Sequence, residues 1–229
     1  MTPREYGQSC SLACALDRIG ERWTLLIVRE LSLGPLRFSA LARSVGGAPT
    51  DVLTKRLREL EQHGIVARRE LDPPASTTVY ELTELGHGLE RPMLELSRWG
   101  MDMQRAVDVV DLAPTSLPNA LRVILRPADD FRALVCVRSG GQAYELCFDP
   151  GGWISASRGA PAQPDLTLSG TPMEVIGALL DEEVGGDVQI EGDRELLAQL
   201  RTMVVVPERL REEALAALGA SEATTVRAA

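Results

Sequence analysis

The chain has no run of about 18 uncharged apolar residues, the length a transmembrane helix needs, so no membrane span is expected. Its first ten residues, MTPREYGQSC, hold no apolar core segment, so no secretory signal is expected. Histidine is scarce: His63 and His87 are the two present, neither at ligand spacing nor beside an evident acid partner, and no metal centre is expected. A phosphate-binding loop and a G-x-S-x-G elbow are both missing. Neither catalysis nor a cofactor is therefore expected. Cysteine is limited to Cys10, Cys14, Cys136 and Cys147, expected as reduced thiols in a cytoplasm. Cys10 and Cys14 stand one helical turn apart, a spacing open to a metal, to a redox pair, or to packing as small hydrophobes.

An excess of positive charge is missing too, since the 229 residues carry a net −9. The deficit is not spread evenly. Residues 1–105 hold 14 basic and 14 acidic residues, whereas residues 106–229 hold 10 and 19. Within Arg37–Arg58 five cations (Arg37, Arg43, Lys55, Arg56, Arg58) face one acid, Asp51. A local basic patch is what duplex binding requires, because affinity comes from displacing counterions at the contact surface. The acidic half is expected to face away from such a partner.

What is present centres on Pro49–Gly64. At 100° per residue Leu53, Leu57 and Leu60 form one apolar stripe, while Lys55, Arg58 and Gln62 point the opposite way with Thr54 and Asp51 beside them. Thr50 is placed to cap the helix and Gly64 to end it. Upstream, Leu36–Val45 has Phe38, Leu41 and Val45 at helical spacing, and SVGGAP separates the two helices. This order predicts a helix-turn-helix, one element crossing phosphates and the next entering a major groove. Downstream, Ile65–Leu71 and Thr77–Leu82 predict a hairpin around the turn DPPAS, with Arg68, Arg69, Ser76, Thr77 and Thr78 giving its tip phosphate-binding chemistry. Helix-turn-helix plus hairpin is a winged helix.

Earlier still, Ser11–Ile19 and Arg22–Leu33 predict two helices, the second with Trp23, Leu26, Ile27 and Leu31 inward. After the wing, Thr83 is placed to cap a helix toward Ala106 carrying Leu89, Met93, Leu96, Trp99 and Met103 at 3–4 spacing, with Pro92 kinking it or resetting its start. Such a stripe finds no partner inside a winged helix. It is expected to pack against a second copy, the alternative being this chain's own second half.

The run from Cys10 to about Gly100 resembles the HxlR-type branch of the winged-helix regulators, relatives of the MarR family. The resemblance rests on Ala15-Leu16-Asp17-Arg18-Ile19-Gly20, Arg22-Trp23-Thr24-Leu25-Leu26-Ile27 and Gly34-Pro35-Leu36-Arg37-Phe38. It continues through Leu53-Thr54-Lys55-Arg56-Leu57-Arg58-Glu59-Leu60-Glu61, Gly64-Ile65-Val66 and Tyr80-Glu81-Leu82-Thr83. It implies a homodimeric transcription factor reading an inverted repeat in double-stranded DNA. The implied DNA contacts are Arg37, Thr50, Thr54, Lys55, Arg56, Arg58, Gln62, Arg68, Arg69, Ser76 and Thr77. A cysteine at the position matching Cys10 implies oxidant sensing in some members.

Asp111–Asn119, DLAPTSLPN, is expected as a linker between a domain at 1–110 and a second at 120–229. Strands are predicted at Phe131–Arg138, Gln142–Asp149, Gly152–Ser157, Asp165–Ser169 and Asp187–Glu191. Helices are predicted at Met173–Asp181, Arg194–Val204 and Pro207–Leu218, with Thr171 and Pro172 opening the first and a frayed tail over Ser221–Ala229. LTLSGTPMEVIGALL followed by DVQIEGDRELLAQL resembles the sterol-carrier-protein type of lipid-binding fold, which implies a curved sheet backed by helices around an apolar cavity. Tyr144, Phe148, Trp153, Leu166, Leu168, Ile176 and Met203 are the expected lining. The fold class is thus α+β in both halves. The function expected is a DNA-binding regulator tuned by an apolar small molecule, with an apolar-metabolite carrier or a Cys10 redox sensor as alternatives.

Overall fold

The computed structural model of the chain describes residues 6–72, 77–104, 112–182 and 187–227. It divides into two compact units, Met1–Met93 and Leu94–Ala229.

The first unit opens with helices α1 (Ser11–Ile19), α2 (Thr24–Leu31), α3 (Phe38–Val45) and α4 (Thr50–Gln62). A hairpin of strands β1 (Val66–Glu70) and β2 (Thr78–Leu82) follows, then the short α5 (Glu84–His87) and the start of α6 (Glu90–Met101). The core draws one stripe from each helix: Ile27, Val28 and Leu31, Leu41 and Val45, and Leu53, Leu57 and Leu60. Ile65, Val66, Leu82 and Met93 close it from below. Each fully buried leucine contributes roughly 1.5–3 kcal/mol by leaving water. That collective term, more than helix propensity, holds these short helices.

Several boundaries depart from the expected ones for local reasons. Trp23 sits at φ 79°, a left-handed conformation closed to a right-handed helix, so α2 starts at Thr24 instead of Arg22. Leu26, expected inward, is 37% exposed. Thr50 is the first helical residue of α4, and the capping position before it falls to Pro49. The other end of α4 is as expected. Gly64 takes φ 68°, Ile65 N donates to Leu60 O at 2.9 Å, and Gly64 N to Glu61 O at 3.0 Å, a Schellman termination.

Thr83 caps as expected, accepting from Gly86 N at 3.2 Å, but the helix it starts is only α5. Gly86 lies so close to the chain that a Cβ there would stand 2.2 Å from Ile65 O. The long helix resumes at Glu90, which puts Pro92 in the first turn of α6, where its missing N–H costs no hydrogen bond. Met103 therefore lies just beyond the helix.

The second unit takes in Leu94 and the end of α6. Arg98 donates to Arg122 O at 3.3 Å, and Arg209 to Gln104 O at 2.7 Å. A 3₁₀ turn (Pro114–Ser116) leads into α7 (Leu117–Ile124). Leu117 and Asn119 are buried in that helix, so the expected linker is shorter at its far end. Strands β3 (Ala133–Ser139), β4 (Gln142–Asp149), β5 (Trp153–Arg158), β6 (Leu166–Ser169) and β7 (Gln189–Gly192) form one sheet in the order β5-β4-β3-β6-β7. All neighbours are antiparallel except β3 and β6.

Helices α8 (Pro172–Leu180), α9 (Arg194–Thr202) and α10 (Glu208–Arg227) back this sheet. Thr171 and Glu174 make a reciprocal capping box at the start of α8, and Asp193 caps α9. The last carbonyls of α8 are taken by arginines: Arg201 Nε donates to Ala178 O at 2.8 Å and Arg211 Nη1 to Leu180 O at 3.0 Å. The helix α10 continues to Arg227, through most of the stretch expected to fray, while Ala228 and Ala229 lie outside the described residues. Among the described residues no helix is long and apolar enough to cross a membrane.

Candidate nucleic-acid interface

The two faces of α4 separate cleanly. Leu53, Leu57 and Leu60 are at most 1% exposed, while Thr50, Asp51, Lys55, Arg58 and Gln62 are exposed. Thr54 is half-buried and spends its hydroxyl on Thr50 O at 2.7 Å. The cations differ sharply. Lys55 reaches Glu59 only at 3.9 Å. Arg58, and likewise Arg37 and Arg43 on and before α3, make no side-chain hydrogen bond or ion pair among the described residues. Arg56 is otherwise placed: its side chain is 12% exposed, bound to Glu59 and 3.1 Å from Glu21. It ties α4 to the segment before α2, which makes it framework and not the solvent-facing cation the sequence suggested.

The wing repeats this contrast. Leu36 bridges Tyr80 through paired backbone bonds of 2.8 and 2.9 Å, adding a third strand segment to the hairpin. Arg69 is half-exposed but forked onto Glu81, with Nε 2.9 Å from both carboxylate oxygens. That carboxylate pushes the Arg69 pKa further up. Arg68 lies over the Tyr80 ring at 5.8 Å and 3.9 Å from Glu61, and is exposed. Thr77 is half-buried, its carbonyl taken by Leu71 N at 2.9 Å. Ser76 lies outside the described residues.

The residues expected to pair two copies split into two groups. Met93 is in the core of the first unit and Leu89 packs against that core. Leu96, Trp99 and Met103 are 49%, 64% and 61% exposed. Sequence reading missed that Leu12 and Leu16 on α1 are exposed as well, although their i, i+4 spacing on a helix with one buried residue carried the signal. Cys10 stands at the cap position of the same helix, exposed, and the N–H groups of Ala13 and then Leu12 lower its thiol pKa. Cys14 Sγ accepts from Arg18 at 2.9 Å.

Against this geometry, the HxlR-like helix-turn-helix family model matches residues 18–108. The HTH-type transcriptional regulator YodB of Bacillus subtilis is 35% identical over 85 residues, 37% of this chain and 76% of that protein. The chain belongs to the HxlR-like helix-turn-helix family. Within it, the uncharacterised HTH-type transcriptional regulator Rv3095 of Mycobacterium tuberculosis is 41% identical over 90 residues, 39% of this chain. The chain spans only 56% of that mycobacterial relative's length. The solved reduced form of YodB is 33% identical, covering 41% of this chain and 92% of that one with a TM-score of 0.38. The HxlR-like match ends at residue 108, before the 3₁₀ turn and sheet of the second unit.

In that second unit Tyr144, Phe148, Leu166, Leu168 and Ile176 are buried core side chains, and Trp153 and Met203 are half-buried. A cavity of about 630 Å³ lies elsewhere, at the β3–β4 turn and the start of α8, and none of those seven residues lines it. No group of three or more metal-ligating side chains gathers among the described residues.

Proposed function

We propose that this HxlR-like protein is a homodimeric DNA-binding transcriptional regulator that reads an inverted repeat. The observation carrying this reading is α4: its leucines are wholly buried while Lys55 and Arg58 stand out into solvent with Gln62. A buried stripe fixes the rod, and the opposite face, a few residues from the wing, offers one point charge and one guanidinium fork to phosphates and base edges. Arg37, Arg43 and Arg68 extend the positive surface, with Thr50 and Thr77 as short-range donors. The dimer is supported by Leu96, Trp99 and Met103, three large apolar side chains at helical spacing left to water. Two copies then present α4 about 34 Å apart, one turn of B-DNA.

The second unit, in this reading, takes an apolar small-molecule effector. Its support is a sheet backed by helices. An effector changes operator affinity only if it binds one arrangement of the pair better than another.

Selection of bound duplexes from a random pool tests the whole reading. A two-fold symmetric motif is the expected result; an asymmetric motif, or no enrichment, removes it and favours an apolar-metabolite carrier. Lys55→Ala and Arg58→Ala should each weaken operator binding about tenfold and flatten its salt dependence. Trp99→Asp should turn a sedimenting dimer into a monomer.

A second reading is favoured by one observation. Cys10 is exposed at the α1 N-terminus, and the N–H groups of Ala13 and Leu12 lower its thiol pKa, the direction that favours reaction with an oxidant. It makes the protein an oxidant-responsive regulator, and a Cys10→Ser protein that still releases DNA on oxidation would dispose of it.

A further inference from the structure

The cavity at the β3–β4 turn has walls of two kinds. Gly140 (φ 57°) and Gly141 (φ 75°) make the turn, and a Cβ on Gly140 would lie 2.7 Å from Pro114 Cγ. The opposite wall is Gly170, Thr171 and Pro172, opening α8. Pro114, Ala143, Pro172 and bare glycine backbone give an apolar interior. Three polar side chains interrupt it. Arg138 is exposed, and its guanidinium has no hydrogen bond or ion pair among the described residues. Ser139 is 4% exposed, and its Oγ is buried with no hydrogen-bond partner. The Gln142 side-chain oxygen accepts from the Tyr144 hydroxyl, which leaves its amide N–H as a donor.

We propose that this cavity binds a small apolar carboxylate, with Arg138 pairing the carboxyl group. The guanidinium at the rim supplies a planar fork for two oxygens. The start of α8 is not the anion-binding element, because Thr171 N is already bonded to Glu174 Oε2 at 2.7 Å. That same carboxylate lies beside Gly170, 2.7 Å from where a Cβ would be. A volume of about 630 Å³ suits a compact ligand with an aromatic or short aliphatic body. The binding step stands on these residues alone, whereas its consequence for DNA rests on the effector reading above.

Calorimetry on the full chain with 1-naphthoate and octanoate as probes, and 1-naphthalenemethanol as neutral control, tests it. At least one carboxylate should bind saturably, one per chain, and more tightly than the alcohol. Arg138→Gln should weaken the carboxylate about tenfold and leave the alcohol unchanged. Ala143→Leu, which fills the cavity, should abolish both, and unchanged melting midpoints confirm that each variant is folded. Equal binding of acid and alcohol, indifference to Arg138→Gln, or no saturable binding of either carboxylate would overturn the site. Operator affinity measured with and without the bound probe separates the two claims. Binding that Arg138→Gln weakens, with no change in DNA affinity, keeps the site and removes the effector reading.

Discussion

On α4 and the wing, the same kind of side chain is put to two uses. Arg56 and Arg69 are held by acids of their own chain, Glu21 and Glu59 in one case and Glu81 in the other. Arg58 and Arg37 are held by nothing among the described residues. The first pair stiffens the winged helix; the second keeps its hydrogen-bonding capacity for an outside partner. Counting cations along a helix does not separate these groups. Their acids do, and two of those acids, Glu21 and Glu81, are distant in sequence.

The strongest way to sharpen that contrast is to cross to the inward face of α4. Leu57→Ala should cost about 3 kcal/mol of unfolding free energy in urea, with the folded fraction still binding DNA at full affinity. A neutral effect on stability would mean the stripe does not hold the helix.

Next in size is Arg56→Ala. It should lower stability by about 1 kcal/mol, since Glu21 is 62% exposed and water screens that half of the pairing. Its effect on operator affinity should be well below that of Arg58→Ala. Equal losses from the two would erase the distinction between held and presented cations. Arg69→Ala should be smaller again in melting midpoint, because Arg69 is 48% exposed and is held by one acid instead of two.

The smallest effect concerns two thiols placed in the same contrast. Amide N–H groups lower Cys10, whereas burial and then the Asp149 carboxylate raise Cys147. Near neutral pH the thiolate fraction is therefore larger at Cys10, and iodoacetamide should label it about tenfold faster by mass spectrometry. The advantage should shrink as pH rises and both thiols ionise. Faster labelling at Cys147 would contradict the cap geometry.

Much of the winged helix was legible in the sequence because its signals are local. Leu53, Leu57 and Leu60 repeat at helical period, and Gly64 ends α4 where only a residue tolerant of positive φ fits easily. The interruption between α5 and α6 was legible in part, since Pro92 was expected to kink the helix or reset its start and stands in the first turn of α6, whereas the close approach of Gly86 to Ile65 O joins positions distant in sequence. Trp23 was hidden likewise: nothing in its neighbours announces a left-handed tryptophan. Arg56 was misassigned because Glu21 lies 35 positions upstream, and only the fold brings it near. In the second unit, alternation gave the strands and Thr171-Pro172 the helix start. The cavity was invisible, because it is made by two turns far apart in sequence.

One small contact fixes what kind of change an effector could make. The Thr83 hydroxyl donates to Gly64 O at 2.6 Å and Thr83 N to Ile65 O at 3.1 Å, so the tail of α4 and the root of the wing are pegged together at one residue. Within one copy, helix and ribbon then move together like the jaws of a locked caliper. In the proposed dimer, an effector would then act on the spacing of the two copies before it acted on the geometry of either.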